Sequence, residues 1–169
     1  MTLQKIVSGG QTGVDRGALD AALVAGFPCG GWCPADRSAE DGEIPERYPL
    51  TPLAAVVCSR AAQPARRIAE QYKARTLRNL QDSDATVILF RDTLSGGTLL
   101  THKLCLREKR PFIALDAKCM TRLRAADAIA RFVEVHAIQV LNVAGPRLSG
   151  WPQGYAFALS AIGAVISSL

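Results

Sequence analysis

Short apolar runs alternate along the chain with longer stretches in which apolar residues recur at helical steps. The runs are Leu3–Ser8, Phe27–Gly31, Ala85–Phe90, Pro111–Leu115 and Gln139–Ala144, and each reads as a strand. Ala85–Phe90 is apolar at consecutive positions, as a strand covered on both faces should be. Between the runs, Val14–Ala25 places Val14, Ala18, Ala21 and Ala25 on one helical face, and Gly26 stops it. Pro64 can open a second helix through Ile68, Tyr72 and Leu80, with a break expected at Lys73–Thr76, where no apolar residue holds the stripe. Thr98–Lys109, Thr121–Glu134 and Gln153–Ile166 complete the predicted helices. Residues 32–63, rich in Pro, Gly and charge, read as an irregular excursion.

Strands alternating with helices predict an α/β fold: a doubly wound, mainly parallel sheet with helices on both faces. The 169 residues fit one domain, 1–169. No residue from Leu148 to Leu169 is charged. The last helix is therefore apolar around most of its circumference, and a homo-oligomer built through it is expected. Gly154, Ser160 and Gly163 interrupt it, and it is too short to span a bilayer.

Ligands of such folds gather beyond the carboxyl ends of the strands. Two glycine loops fall there: Ser8-Gly9-Gly10-Gln11-Thr12-Gly13 after the first strand and Ser95-Gly96-Gly97-Thr98 after the third. Each opens a helix, whose first amides lack an intrahelical acceptor and suit an anion. The pattern predicts one pocket gripped from two sides. Asp15 and Arg16 stand beside the first loop, as caps or as ligand contacts. Trp32 offers either cover for the core or a flat face for a ring. Arg37, Glu40, Asp41 and Gly42 read as a solvated polar turn.

The net charge of +5 favours anionic partners. Arg60, Arg66, Arg67, Lys73, Arg75 and Arg78 carry much of it, opposed locally by Glu70, yet nucleic-acid binding is the least favoured class. Five cysteines, without a framework spacing, suit free thiols in a cytoplasmic setting. No metal set is expected from Cys29 and Cys33, and His102 and His136 read as structural. The Gly-Xaa-Ser-Xaa-Gly, His-Glu-Xaa-Xaa-His, Gly-Lys-Ser/Thr phosphate-loop and dinucleotide patterns are all missing. A charge at a helix N-terminus contributes about 0.3–2 kcal/mol, whereas micromolar binding needs about 8 kcal/mol. The ligand must therefore offer a ring or polar body besides its anion.

Several stretches together resemble the molybdenum cofactor carrier proteins. That branch shares a Rossmann-like superfamily with the lonely-guy phosphoribohydrolases and the DNA-processing A proteins. The stretches are Ser8–Asp20, Gly30–Pro34, Ala39–Gly42 with Ile44-Pro45, Arg75-Thr76 with Asn79, Asp82–Ala85, Gly96–Thr98 and Leu141–Arg147. The resemblance implies a homo-oligomeric carrier of the molybdenum cofactor (molybdopterin), a phosphorylated pterin. Amides of Gly9 to Gly13 and of Gly96 to Thr98, with Arg16, would hold the phosphate. Asp15, Trp32, Arg75, Thr76, Asn79, Asp84, Ser95 and Arg147 would line the remainder. Leu148 stands where the family pattern has an acidic residue after Arg147. The phosphoribohydrolases place a glutamate after the second glycine loop; here Leu99, Leu100 and Thr101 follow. Hydrolysis of a nucleoside monophosphate is thus the runner-up, and single-stranded nucleic acid the third reading.

Overall fold

The computed structural model describes residues 2–54 and 64–169. In chain order its elements are β1 (Lys5–Val7), α1 (Val14–Val24), β2 (Cys29–Gly30), β3 (Trp32–Cys33), β4 (Ser38–Ala39), β5 (Gly42–Glu43), β6 (Thr51–Pro52), α2 (Pro64–Gln81), β7 (Ala85–Phe90), α3 (Gly96–Arg107), β8 (Phe112–Asp116), α4 (Arg122–Val135), β9 (Val140–Ala144) and α5 (Gly154–Ser167). Five strands form one parallel sheet in the order β2-β1-β9-β7-β8. The last strand of the chain thus slides between the first and the third core strands, and Leu141 faces Ile6 on one side and Ala85 on the other. This α/β, Rossmann-like architecture is the predicted one.

Alternation along β7 distributes its side chains between two layers. Val87 and Leu89 join Ile6, Leu141 and Val143 under α1, α4 and α5, whereas Ile88 packs with Leu80 of α2 and with Leu104 and Cys105 of α3. On the first side the helices carry Ala18, Ala21, Ala22, Ala158 and Ala161 at the contact. Such small residues let backbones approach closely. A Cβ at Gly17 would lie 2.3 Å from the Tyr155 carbonyl oxygen of α5.

Three expectations change. The apolar circumference of α5 is covered within the chain by α1, α4 and the sheet, so it does not by itself require a second copy. Helix α2 runs unbroken through Lys73–Thr76. Its stripe there is polar because Tyr72, Arg75, Thr76 and Asn79, at helical spacing, face a cleft instead of a core.

The excursion, lastly, is more regular than its composition suggests. At Gly31 (φ 136°) a Cβ would fall 2.1 Å from the Ser8 carbonyl oxygen. The chain turns away there, so β3 pairs with β6, and β4 with β5 forms a small hairpin. Arg37 donates to the carbonyls of Ile44, Pro45, Tyr48 and Leu50. Around it Leu19, Cys33, Ile44, Tyr48 and Leu50 form a satellite core. Asp20 ties this module to α5 by accepting from Tyr48 Oη at 3.0 Å and Tyr155 Oη at 2.8 Å. Burial and the Asp20 carboxylate push the Tyr155 phenol up to about 12. Of the basic run, Arg60 lies outside the described residues, as does the side chain of Arg67.

The α1–α5 contact yields a sign test. Helix propensity favours alanine over glycine by about 1 kcal/mol, yet Gly17→Ala should destabilise the protein by about 1–3 kcal/mol through overpacking. Urea denaturation that shows Gly17→Ala to be more stable than the parent would refute the close contact.

Candidate functional site

Because β9 is flanked by β1 and β7, the loops leaving all three carboxyl ends lie side by side. They enclose a cleft of about 510 Å³ together with α2. From the first loop come Gly9, Gln11 and Asp15; from α2, Tyr72, Arg75, Thr76 and Asn79; from the second glycine loop, Ser95, Gly96, Gly97 and Thr98. Asn142 to Arg147, Ser149 and Gly150 close it from β9 onward. The two glycine loops thus border one cavity.

They are not equivalent. In the first, the amides of Gln11, Thr12 and Val14 are bonded within the protein. Gln11 N–H donates to the Asp15 carboxylate at 3.3 Å, Thr12 N–H donates to Gln11 Oε1 at 3.0 Å, and Val14 N–H donates to the Pro146 carbonyl at 3.2 Å. Asp15 therefore acts as the anion at the start of α1. Its carboxylate also accepts from Arg75 Nη1 at 3.0 Å, and both side chains are about nine-tenths buried. Burial pushes the Asp15 carboxyl up, while the Arg75 guanidinium and the Gln11 amide hold it down. Gly9 makes room for this pair, since a Cβ there would fall 1.3 Å from Arg75 Nη1.

The second loop is open. Ser95 takes an extended N-cap conformation and makes no side-chain cap, while Gly96 adopts φ 50°. A Cβ on Gly97 would meet nothing within 4 Å. The first amides of α3 have no intrahelical acceptor, and they border the cleft beside Arg147, whose side chain is 60% exposed.

A family model described as the circularly permutated YpsA SLOG family matches residues 6–166. The chain belongs to that family. Among solved structures it is similar to the crystal structure of a protein named "Putative molybdenum carrier protein" from Syntrophus aciditrophicus SB. That protein is 36% identical, the match covers 97% of this chain and 95% of that one, and the TM-score is 0.84. No curated protein matches.

In this SLOG chain several expected site residues lie away from the cleft. Gly10 (φ 75°) sits under Leu50 and Ile44, and Gly13 (φ 79°) packs on the backbone of Pro146–Leu148. Both serve loop conformation. The Thr12 hydroxyl bonds the Glu40 carboxylate and accepts from Leu148 N–H at 3.1 Å. Arg16 is held by a bidentate pair with Asp41 at 2.6 and 2.8 Å and by the Gly10 carbonyl. Trp32 spends its indole N–H on Asp82 at 2.7 Å and carries the Arg78 guanidinium 5.0 Å over its ring. Its backbone is bracketed by the Asn79 amide at 2.7 and 3.0 Å. Asp84 lies at the opposite end of the sheet, where it accepts from the Gln139 and Val140 amides at 2.9 and 2.8 Å.

Glu40, read from sequence as solvated surface, is instead a strap. Besides Thr12 it accepts from Ser149 N–H at 3.1 Å and Ser149 Oγ at 2.6 Å, and lies 3.6 Å from Arg147 Nε. Desolvation works against its charge, but the Ser149 and Thr12 hydrogen bonds prevail and hold the carboxyl low. It supplies an acid beside Arg147 and Ser149, where the chain itself has Leu148. Among the described residues, no group of three or more His, Cys, Asp or Glu is placed to hold a metal ion, and no helix is long and apolar enough to cross a membrane. His102 stacks edge-on against Phe112 at 5.1 Å, and His136 against Phe132 at 4.9 Å.

Arg75→Met would strand the buried Asp15 carboxylate and should cost about 3–5 kcal/mol of stability. Adding Asp15→Asn should restore part of that loss. Urea melts of the double-mutant cycle decide this, and simple additivity would show that the two groups are uncoupled.

Proposed function

We propose that the cleft captures a phosphorylated heterocycle reversibly, with the phosphate at the first turn of α3. One observation carries this reading: the open helix start lines the same cleft as the exposed Arg147. Its volume of about 510 Å³ suits a small ligand, for which sites of about 300–1,000 Å³ are usual. Tyr72, Leu100 and Pro146 add apolar wall for a ring, which the anion contact needs as a complement. The name of the similar S. aciditrophicus protein, a molybdenum carrier, supports carriage as the role, and the resemblance to the molybdenum cofactor carriers makes that cofactor our choice of ligand.

Hydrolysis is less well served. Asp15 is the one carboxylate bordering the cleft among the described residues, and it is committed to Arg75. Binding of a nucleic-acid strand loses Arg75 to Asp15, and Arg78 to Trp32 and Asp82.

Gly97→Glu tests the reading. A carboxylate in the first turn suits the helix, and a Cβ at 97 meets nothing within 4 Å, so the unliganded melting temperature should hold. The wild type should gain thermal stability with neopterin monophosphate, a phosphorylated pterin, and the variant should gain none. Equal stabilisation of both proteins would remove the start of α3 from the site.

A further inference from the structure

The floor of the cleft is polar where a covered parallel sheet should be apolar. β9 has a strand on each side and helices over both faces, which calls for a uniformly hydrophobic run. Val140, Leu141, Val143 and Ala144 obey this; Asn142 does not, although it is only 3% exposed. Its Nδ2 donates to Oγ1 of Thr86 at 3.2 Å, directly across on β7. With Nδ2 so engaged, Oδ1 has no hydrogen-bond partner among the described residues, and Asn142 borders the cleft. Thr98, 4% exposed, borders it too, and its hydroxyl likewise has no side-chain or backbone partner among the described residues. Arg75 Nε is buried with no acceptor. A polar atom that leaves water without a new partner is destabilising. Of the three, only Arg75 Nε is shut off from solvent; Asn142 Oδ1 and the Thr98 hydroxyl open onto the same cavity, where a ligand can pair with them.

We infer that Asn142 and Thr98 read the hydrogen-bonding edge of the captured heterocycle, an assignment that rests on the capture function proposed above. Asn142 Oδ1 is an acceptor and requires a ring or exocyclic N–H. The Thr98 hydroxyl can serve either way. The matching ligand class is a heterocycle with a mixed donor–acceptor edge, such as a lactam or an aminopyrimidine ring. A sugar phosphate lacks that edge. Thr86 is then a positioning residue, since by accepting Nδ2–H it fixes which end of the Asn142 amide is left for the ligand.

Two probes separate edge recognition from phosphate capture: neopterin monophosphate, which has both features, and ribose 5-phosphate, which has the phosphate alone. Calorimetric titrations of Asn142→Leu and of the near-isosteric Thr98→Val are compared with the wild type. Asn142→Leu should weaken neopterin monophosphate by about tenfold or more, the scale of one stranded hydrogen bond, and leave ribose 5-phosphate unchanged. Thr98→Val, which also sits in the phosphate-holding turn, should weaken the pterin by about tenfold more than ribose 5-phosphate. Thr98→Val carries the comparison by itself if the strand rejects leucine. Equal losses for both probes, or a loss for neither, would overturn the assignment and leave the floor to solvent. A wild type that takes ribose 5-phosphate but not the pterin would keep phosphate capture and sink edge recognition. Binding of neither probe would sink the capture function and this assignment with it.

Discussion

The buried pair of Asp15 and Arg75 is the contact from which the cleft takes its form. A carboxylate removed from water costs several kcal/mol unless a counter-charge and hydrogen bonds offset it. Here the Arg75 guanidinium and the Gln11 amide offset part of it, and burial still holds the carboxyl above its ordinary value. The pair joins the start of α1 to the middle of α2, and the bare backbone of Gly9 lies beneath it. It also divides the labour between the glycine loops. The positive end of α1 is neutralised by the protein's own carboxylate, so the equivalent end of α3 is the one left for an external anion.

Topology supplies the rest. Gly9 and Ser95 follow strands that are not neighbours, and β9 between them brings its own loop into the gap. That loop contributes Arg147 and Ser149, which Glu40 reaches from the β4–β5 hairpin. The excursion after β2 is therefore an internally bonded module, organised by Arg37 and fastened to α1 and α5 at Asp20. Its strap sets where Arg147 stands at the rim.

Much of this was legible in sequence, and the exceptions have physical causes. A continuous apolar run located β7 and period-3.6 patterning located α1, and with them the layering, because those elements bury whole faces. The break expected in α2 arose from equating a missing apolar stripe with a missing helix; the stripe at Tyr72, Arg75, Thr76 and Asn79 is polar because it faces the cleft. Both glycine loops were recognisable, but residue type alone could not show that Asp15 had already claimed the first. Asp84 precedes its strand, and strand direction alone places it at the amino end, away from the ligand. Asn142 also had a signal: one amide inside Val140–Ala144. Glu40 had only its place in the family-like stretch Ala39–Gly42, and its strap role was hidden because its partners Thr12 and Ser149 lie 28 and 109 residues away.

The central claim is that the start of α3, and not the start of α1, receives the anion. Backbone amide NMR during titration with neopterin monophosphate addresses it directly. The account predicts large, saturable shifts at Gly96, Gly97 and Thr98, with the Gln11 and Thr12 amides, already bonded within the protein, nearly unmoved. Saturable shifts confined to Gly9–Gly13, with α3 unaffected, would contradict it.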